Sequence, residues 1–516
     1  MRQLYIACIS SVADYGVPVW WNNQKTILEK FQKLQNLALR KILGAFKSSP
    51  ASAMEIEASL PPPKVRFNKI CKNYALRILQ MHENHPIRQR VSSSFPSYTN
   101  GIELDWTQFL DWNETETSQY NYIESEQSIE SSSSRRRKRR KTKQLKKQVS
   151  QLFKITSKIT DILPSLKTEE IIHERTEPWK ESLSSLIEIK ISKLSKLEES
   201  NQHKILIQNL IKAQNTNNII IYSDGSKDEK TGNLGAGIFY TKNFNSKNSE
   251  SYSWNLGSTI EVFDTELFAL EKAFKLAYNK TSVSTKDIWI FSDSQAAIQR
   301  LQNSGLKAGQ KFALAIEDWI ARIKLKFRVK IHLRWVPGHM YIDGNEKADQ
   351  AAKNGTKLLK IDLEKYVSIA YIKRNIREKS LEEWYQELEI SNKGRHYSEF
   401  ECKPQWKAHS KIVKRHIWSA FMQLKLGHGY FKSYLARLPD YITDKCSICN
   451  TKENPEYLIL HYKKYQKIRE ELKEKFDIKE FSLKNLFNIK KGQEFLFEYI
   501  EKTQIATRNW LLQDED

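Results

Sequence analysis

Four acids and one histidine stand out in this sequence of 516 residues, each at the end or edge of an element. Asp224 closes the apolar run Ile219-Ile220-Ile221-Tyr222-Ser223 and is followed by Gly225-Ser226. Glu266 stands in Thr265-Glu266-Leu267, inside a helical pattern, and Asp293 ends the run Trp289-Ile290-Phe291-Ser292. His339 follows Trp335-Val336-Pro337-Gly338, and Asp349 ends Gly344-Asn345-Glu346-Lys347-Ala348. Four clustered carboxylates repel one another and take up protons unless cations share their site. Two Mg²⁺ ions, with Mn²⁺ as an alternative, match the four negative charges, and such hard cations prefer oxygen ligands to Cys or His. Two metals about 3.5–4 Å apart activate a water on one side of a phosphate and stabilise the leaving oxygen on the other. The chemistry these residues suit is therefore metal-dependent cleavage of a phosphodiester. Singly, each has a plainer reading: Asp-Gly after a strand is most often a turn, and Asp349 could be one more solvated helix charge. Only the ordered set argues for a site.

The pattern around them supplies the elements. Strands are expected at Asn218–Asp224, Leu234–Tyr240 and Ser251–Leu256. A helix over about 263–279 then gathers Leu267, Leu270, Ala273, Phe274 and Ala277 on one face. Glu266 lies at the edge of that face, whereas Glu271, Lys272 and Lys275 point away. An acid beside a core stripe is expensive to desolvate unless a cation or donor meets it. A strand at Asp287–Ser292 delivers Asp293 at its C-terminal end, where α/β sheets usually place their ligands. Helices near 295–302 and 311–326, a strand over 328–335 and a final helix with Ala348, Ala351, Ala352 and Gly355 complete a mixed α/β order.

Taken together, Asp224-Gly225-Ser226, Glu266, Ser292-Asp293-Ser294, Pro337-Gly338-His339 and Asn345-Glu346-Lys347-Ala348-Asp349 resemble type 1 ribonuclease H over residues 215–358. The resemblance implies a mixed five-stranded sheet with flanking helices and Mg²⁺-dependent hydrolysis of the RNA strand of an RNA–DNA hybrid. It makes Asp224, Glu266, Asp293 and Asp349 the metal-binding acids, and His339 a mobile aid to proton transfer or product departure. RNA selectivity requires contacts to 2′-hydroxyls, for which main-chain groups near Gly225, Ser226 and Asn345 are the candidates. A competing expectation is a non-catalytic nucleic-acid-binding retroelement relic that has kept its acids.

The flanks resemble parts of non-LTR retrotransposon polyproteins, especially fungal ones. In residues 1–95 the carriers are Asp14-Tyr15-Gly16, Leu34 to Phe46 and Leu60-Pro61-Pro62, which look like the segment after a reverse transcriptase palm. No paired-aspartate strand precedes them, so polymerase activity is not expected. There Leu28, Phe31, Leu34, Leu37, Ile42 and Leu43 are expected to stripe one helix face, closed by Gly44. Residues 149–214 read as a helical, irregular lead-in containing Glu177-Pro178-Trp179, and residues 362–516 as a helical C-terminal region. In the latter, Cys446-Ser447-Ile448-Cys449 resembles half of a zinc knuckle, but Tyr457 and Tyr462 stand where the remaining His and Cys belong. His461 beside them could ligate only by a shifted geometry. Structural zinc needs four ligands, so zinc is not expected.

Residues 100–148 form an acidic then basic linker: eight acids without Lys or Arg over 101–134, then ten basic residues over 135–147. Like-charged blocks resist burial, so disorder is expected. The basic run reads equally as a nuclear-import signal, an RNA tether or a solvated linker. Lys and Arg outnumber Asp and Glu by 84 to 61, a net charge of +23 that favours nucleic acid as partner. No stretch reaches the roughly 18 apolar residues of a membrane span. Five sparse cysteines argue against a disulfide framework and for an intracellular setting, nuclear or cytoplasmic.

Overall fold

A computed structural model describes residues 1–94, 151–159, 167–169, 171–172, 183–213, 217–243, 248–359, 366–406 and 413–515, apart from 83, 193, 304, 392–393 and 440. The linker at 100–148 and Glu177-Pro178-Trp179 lie outside the described residues. The chain divides into two compact units, residues 74–375 and the pair 1–73 with 376–516.

In the first unit, the apolar run before Asp224 becomes a central strand because both its faces are covered. Ile219 and Ile221 enter one core, and Ile220 and Tyr222 enter another on the opposite side. A strand buried on both faces loses the usual apolar–polar alternation. Six strands make the sheet: β1 (Glu188–Lys190), β2 (Ile219–Lys227), β3 (Leu234–Lys242), β4 (Ser249–Gly257), β5 (Asp287–Ser292) and β6 (Lys330–Trp335). Their order is β1-β6-β5-β2-β3-β4. The β2–β3–β4 ribbon is antiparallel, whereas β2, β5, β6 and β1 pair in parallel. Among the helices of the same unit are α1 (Lys196–Lys212), α2 (Val262–Lys280), α3 (Gln295–Gln302), α4 (Gln310–Lys326) and α5 (Asp343–Gly355).

The sheet has one strand more than expected. β1 comes from the lead-in, where three residues are too few to show a period of two. It is fixed by chemistry: Glu188 takes a 2.7 Å bond from His332 Nδ1 and lies 3.3 Å from Arg334. The lead-in also supplies α1, opened by a capping box between Ser195 and Glu198. Leu206, Ile207 and Leu210 of α1 pack on the face formed by Ile220, Tyr222 and Phe291. These three are half-buried, so each contributes less than the about 1.5–3 kcal/mol of a fully buried large side chain. The lead-in is thus part of this fold and not a tether to it.

The second unit joins both helical flanks around one core. Leu39, Leu43, Met54 and Ile56 from the N-terminal stretch share it with Trp384, Phe421, Phe487, Phe495 and Tyr499. The helix Lys25–Leu43 ends at Gly44 in the left-handed region (φ 71°), as its sequence suggests. Its buried face differs from the expected stripe: Leu34 and Leu37 are exposed, whereas Gln35, Leu39 and Leu43 are buried. Gln35 displaces the leucines because it is fully bonded, donating to Glu55 and to the Pro61 carbonyl at 3.0 Å each and accepting from Arg66 at 2.6 Å. A buried polar group is tolerated on that condition. Glu57 and Lys425 make a buried ion pair at 2.6 Å, and the Tyr397 hydroxyl donates to the same carboxylate at 2.7 Å.

In this unit Cys446 is buried and Cys449 half-buried, with the Tyr457 hydroxyl against both thiols, while Tyr462 is buried and His461 exposed. No helix among the described residues is long and apolar enough to cross a membrane.

Candidate functional site

The parallel register of β2 and β5 places the first two acids together. Ser223 pairs with Ser292 as the last parallel pair, so Asp224, within β2, and Asp293, just past the end of β5, follow side by side where the two strands part. The backbone of Asp293 is held by Trp335, whose Nε1 donates to its carbonyl at 2.9 Å. Glu266 arrives from α2, near the start of that helix. The approach depends on Gly225: a Cβ there would stand 2.3 Å from Thr265 Oγ1 and 2.9 Å from the Glu266 amide nitrogen. Ligand oxygens of Asp224, Glu266 and Asp293 come within 4.8 Å of one another, and no other such cluster of His, Cys, Asp or Glu occurs among the described residues.

Burial makes this trio unusual. Asp224 and Glu266 are 6% and 7% exposed. Desolvation first, then the charge of Asp293, pushes the Asp224 carboxyl up to about 8. Burial followed by Asp224 and Asp293 holds Glu266 well above the usual carboxylate range, and burial also raises Asp293. The Gly225 amide supports the pair, donating to Asp224 Oδ1 at 2.7 Å and to Glu266. Even so, Glu266 Oε2 is buried without a hydrogen-bond partner. An orphaned buried carboxylate oxygen costs about 1–3 kcal/mol or more. A divalent cation would satisfy it and return all three groups to their ionised forms. The all-oxygen donor set fits Mg²⁺ or Mn²⁺.

The fourth acid stands slightly apart. Asp349 lies on α5, which sits hard against β3: a Cβ at Gly237 would meet the Ala352 nitrogen at 2.2 Å and the Ala348 oxygen at 2.4 Å. Its charge is felt by both Asp224 and Asp293, but its carboxylate is bound by Lys353 one turn on, at 2.6 Å. His339 sits in the loop between β6 and α5 with φ 58°, a left-handed conformation uncommon outside glycine, and its charge acts on Asp293.

The Asn345 side chain is 3% exposed and its amide donates to Asp293, so it braces a carboxylate, while the main chain there is what the sequence offered for substrate contact. Glu271 was expected to point away, yet it is 9% exposed and accepts from Trp319 Nε1 at 3.1 Å. The Gly225 amide is spent on Asp224 and Glu266, and Ser226 remains half-buried at the rim. Three contributors went unread. Gly338 lets the loop reach the site, since a Cβ there would lie 2.5 Å from Asp293 Oδ2. Lys353 was legible as a partner at i,i+4 to Asp349. His203 of α1 was not: its Nε2 lies 3.0 Å from the Tyr222 hydroxyl, two residues before Asp224.

Residues 216–357 match the RNase H family. The chain is similar to the Retrovirus-related Pol polyprotein from type-1 retrotransposable element R1 of Popillia japonica, 28% identical over 179 residues. That match covers 34% of this chain and 65% of the polyprotein, under two thirds of its length. Similar solved structures include an RNase H1 from Halobacterium salinarum NRC-1, with 17% identity and a TM-score of 0.22 over 27% of this chain and 98% of that one. Another is the N-terminal RNase H domain of a Mycobacterium tuberculosis protein solved as a maltose-binding-protein fusion, with 17% identity, a TM-score of 0.21 and the same coverage. Residues 216–357 are therefore a ribonuclease H domain, set in a chain related to a retrotransposon polyprotein.

Proposed function

We propose that this domain hydrolyses the RNA strand of RNA–DNA hybrids with two bound Mg²⁺ ions, within a retrotransposon-derived protein. The observation that carries the reading is the cluster of two buried acids, Asp224 and Glu266, with half-buried Asp293 and one unpartnered oxygen, inside the matched family stretch. Bound divalent metal would supply charge neutralisation at the phosphate and a water acidified enough to attack. Asp224, Glu266, Asp293 and Asp349 are the residues to hold it. Asp349 would be released from Lys353 to complete the set, and the freed ammonium would stay close to the incoming phosphate. Asn345 and the Gly225 amide orient the Asp293 and Asp224 oxygens. His339, on its loop beside Asp293, is placed to carry a proton to or from the leaving group. Ser226, at the rim, and the main chain at Gly225 and Asn345 are the candidates for contact with a 2′-hydroxyl.

The test is cleavage of a labelled RNA strand annealed to DNA, beside the same strand unpaired and a DNA duplex. Hybrid-specific, chelator-sensitive cleavage lost in Glu266→Gln supports the proposal. Binding of the hybrid without cleavage in Mg²⁺ or Mn²⁺ would replace it with a non-catalytic nucleic-acid module.

A further inference from the structure

The α2–β4 side of the nuclease unit carries a second concave surface that the carboxylate site does not use. A cavity of about 410 Å³ opens there, lined in part by Tyr252, Trp254, Phe268, Lys272, Lys275 and Asn279. That volume falls within the usual range for small-ligand sites. Tyr252 and Trp254 project from alternate positions of the edge strand β4, their rings near parallel (12°) with centroids 6.2 Å apart. Phe268 meets Trp254 edge-on at 5.8 Å. None of the four acids lines the cavity.

The charges beside it are arranged unequally. Each acid on this face is already paired: Glu271 with Lys272, Glu250 with Lys280, and Asp318 with Arg322, all at 2.7 Å. Lys275 and Lys326 have no ion-pair partner among the described residues and lie over aromatic rings instead, Trp319 at 5.8 Å and Tyr278 at 5.0 Å. The face therefore offers aromatic surfaces interleaved with uncompensated ammonium groups. Flat aromatic surfaces accept any nucleobase, and lysines follow a phosphate backbone. Asn279 at the rim can donate to and accept from a base edge.

We propose that this face is a binding site for single-stranded nucleic acid, with an unpaired base entering the cavity against Trp254 and the backbone running past Lys275 toward Lys326. The site is separate from the carboxylates and needs no metal. It would retain an unpaired stretch of a strand independently of cleavage.

The test uses the full chain in EDTA and fluorescein-labelled single strands of about 12 nucleotides, oligo(U) and oligo(dT), read by anisotropy. Lys275→Ala with Lys326→Ala is expected to weaken binding about tenfold and to lower the salt slope by about 1.4, at about 0.7 per lost phosphate contact. Trp254→Ala should also lose about tenfold, in keeping with the loss of one base-stacking contact. Lys204→Ala with Lys212→Ala, on α1, is the charge-matched control and should change neither quantity. Cleavage of a hybrid in Mg²⁺ should be unchanged by the Lys275/Lys326 pair, which separates this site from the proposed catalytic one. A preference for oligo(U) would assign the site to RNA, and for oligo(dT) to DNA. If Trp254→Ala fails to fold by circular dichroism, the lysine pair decides. Wild-type affinity in that pair, or an equal loss in the α1 control, would overturn the proposal.

Discussion

Asp224→Asn should stabilise the metal-free protein at pH 8, although the substitution removes a group central to the site. Proton linkage sets the sign. The Asp224 carboxyl is held at about 8 by burial and by Asp293, against an ordinary 3.8. A group raised on folding binds its proton more tightly in the native state. Its favourable contribution is complete below about 3.8 and is lost as pH rises through about 8. At roughly 1.4 kcal/mol per tenfold, that interval corresponds to at most about 6 kcal/mol. Glu266 and Asp293 shift the same way and share the repulsion, so an asparagine at 224 relieves part of their burden too. For a unit of this size 1 kcal/mol moves Tm by about 2–4 °C. Calorimetry in EDTA should therefore show Asp224→Asn melting above wild type at pH 8, by up to about 12–24 °C, with the gap shrinking by more than half at pH 5. Adding Mg²⁺ at pH 8 should raise the wild-type Tm and leave the variant nearly unmoved. Equal melting of the two proteins at pH 8 in EDTA, or a less stable variant, would refute the account of the carboxylate trio.

Other expectations follow from single contacts. Gly338→Ala would press a methyl on Asp293 Oδ2; hybrid cleavage should fall at least about tenfold while Tm changes by only a few degrees, read by paired turnover and melting. His339→Ala should lower turnover by about tenfold or more with hybrid affinity preserved, as the loss of a proton carrier does and the loss of a binding contact does not. Glu57→Ala would leave Lys425 buried and uncompensated, and denaturant unfolding of the helical unit should show a loss of about 3–5 kcal/mol. His203→Ala would strand the Tyr222 hydroxyl, lowering stability by about 1–3 kcal/mol in the same measurement.

Much of the nuclease unit was legible because its cues are local. The run Ile219–Tyr222 ending on Asp224, and the helical spacing around Glu266, each carry their own period, and the structure follows them within a few residues. The acids were legible as a set because each closes or edges an element. What escaped was tertiary. A three-residue strand at Glu188–Lys190 has no periodicity and exists because His332 and Arg334 hold it. Gln35 read as a polar interruption, but Glu55, Pro61 and Arg66 make it the buried residue and leave Leu34 and Leu37 outside. The bond from the Asn345 side chain to Asp293 depends on where α5 packs, which no local cue in the sequence reports. The common core of residues 1–73 and 376–516 links stretches some three hundred positions apart, beyond the reach of any sequence window.

The central claim is that Asp224, Glu266 and Asp293 form a metal site for hybrid cleavage, and end-labelled RNA annealed to DNA tests it most directly. Purified wild type in Mg²⁺ should cut the RNA strand internally, leaving 3′-hydroxyl ends, and spare the unpaired strand. Asp293→Asn should bind the hybrid as well and cut at least a thousandfold more slowly, since removing a charged ligand disables metal-assisted attack. Cleavage that survives Asp293→Asn or persists in EDTA would contradict the assignment.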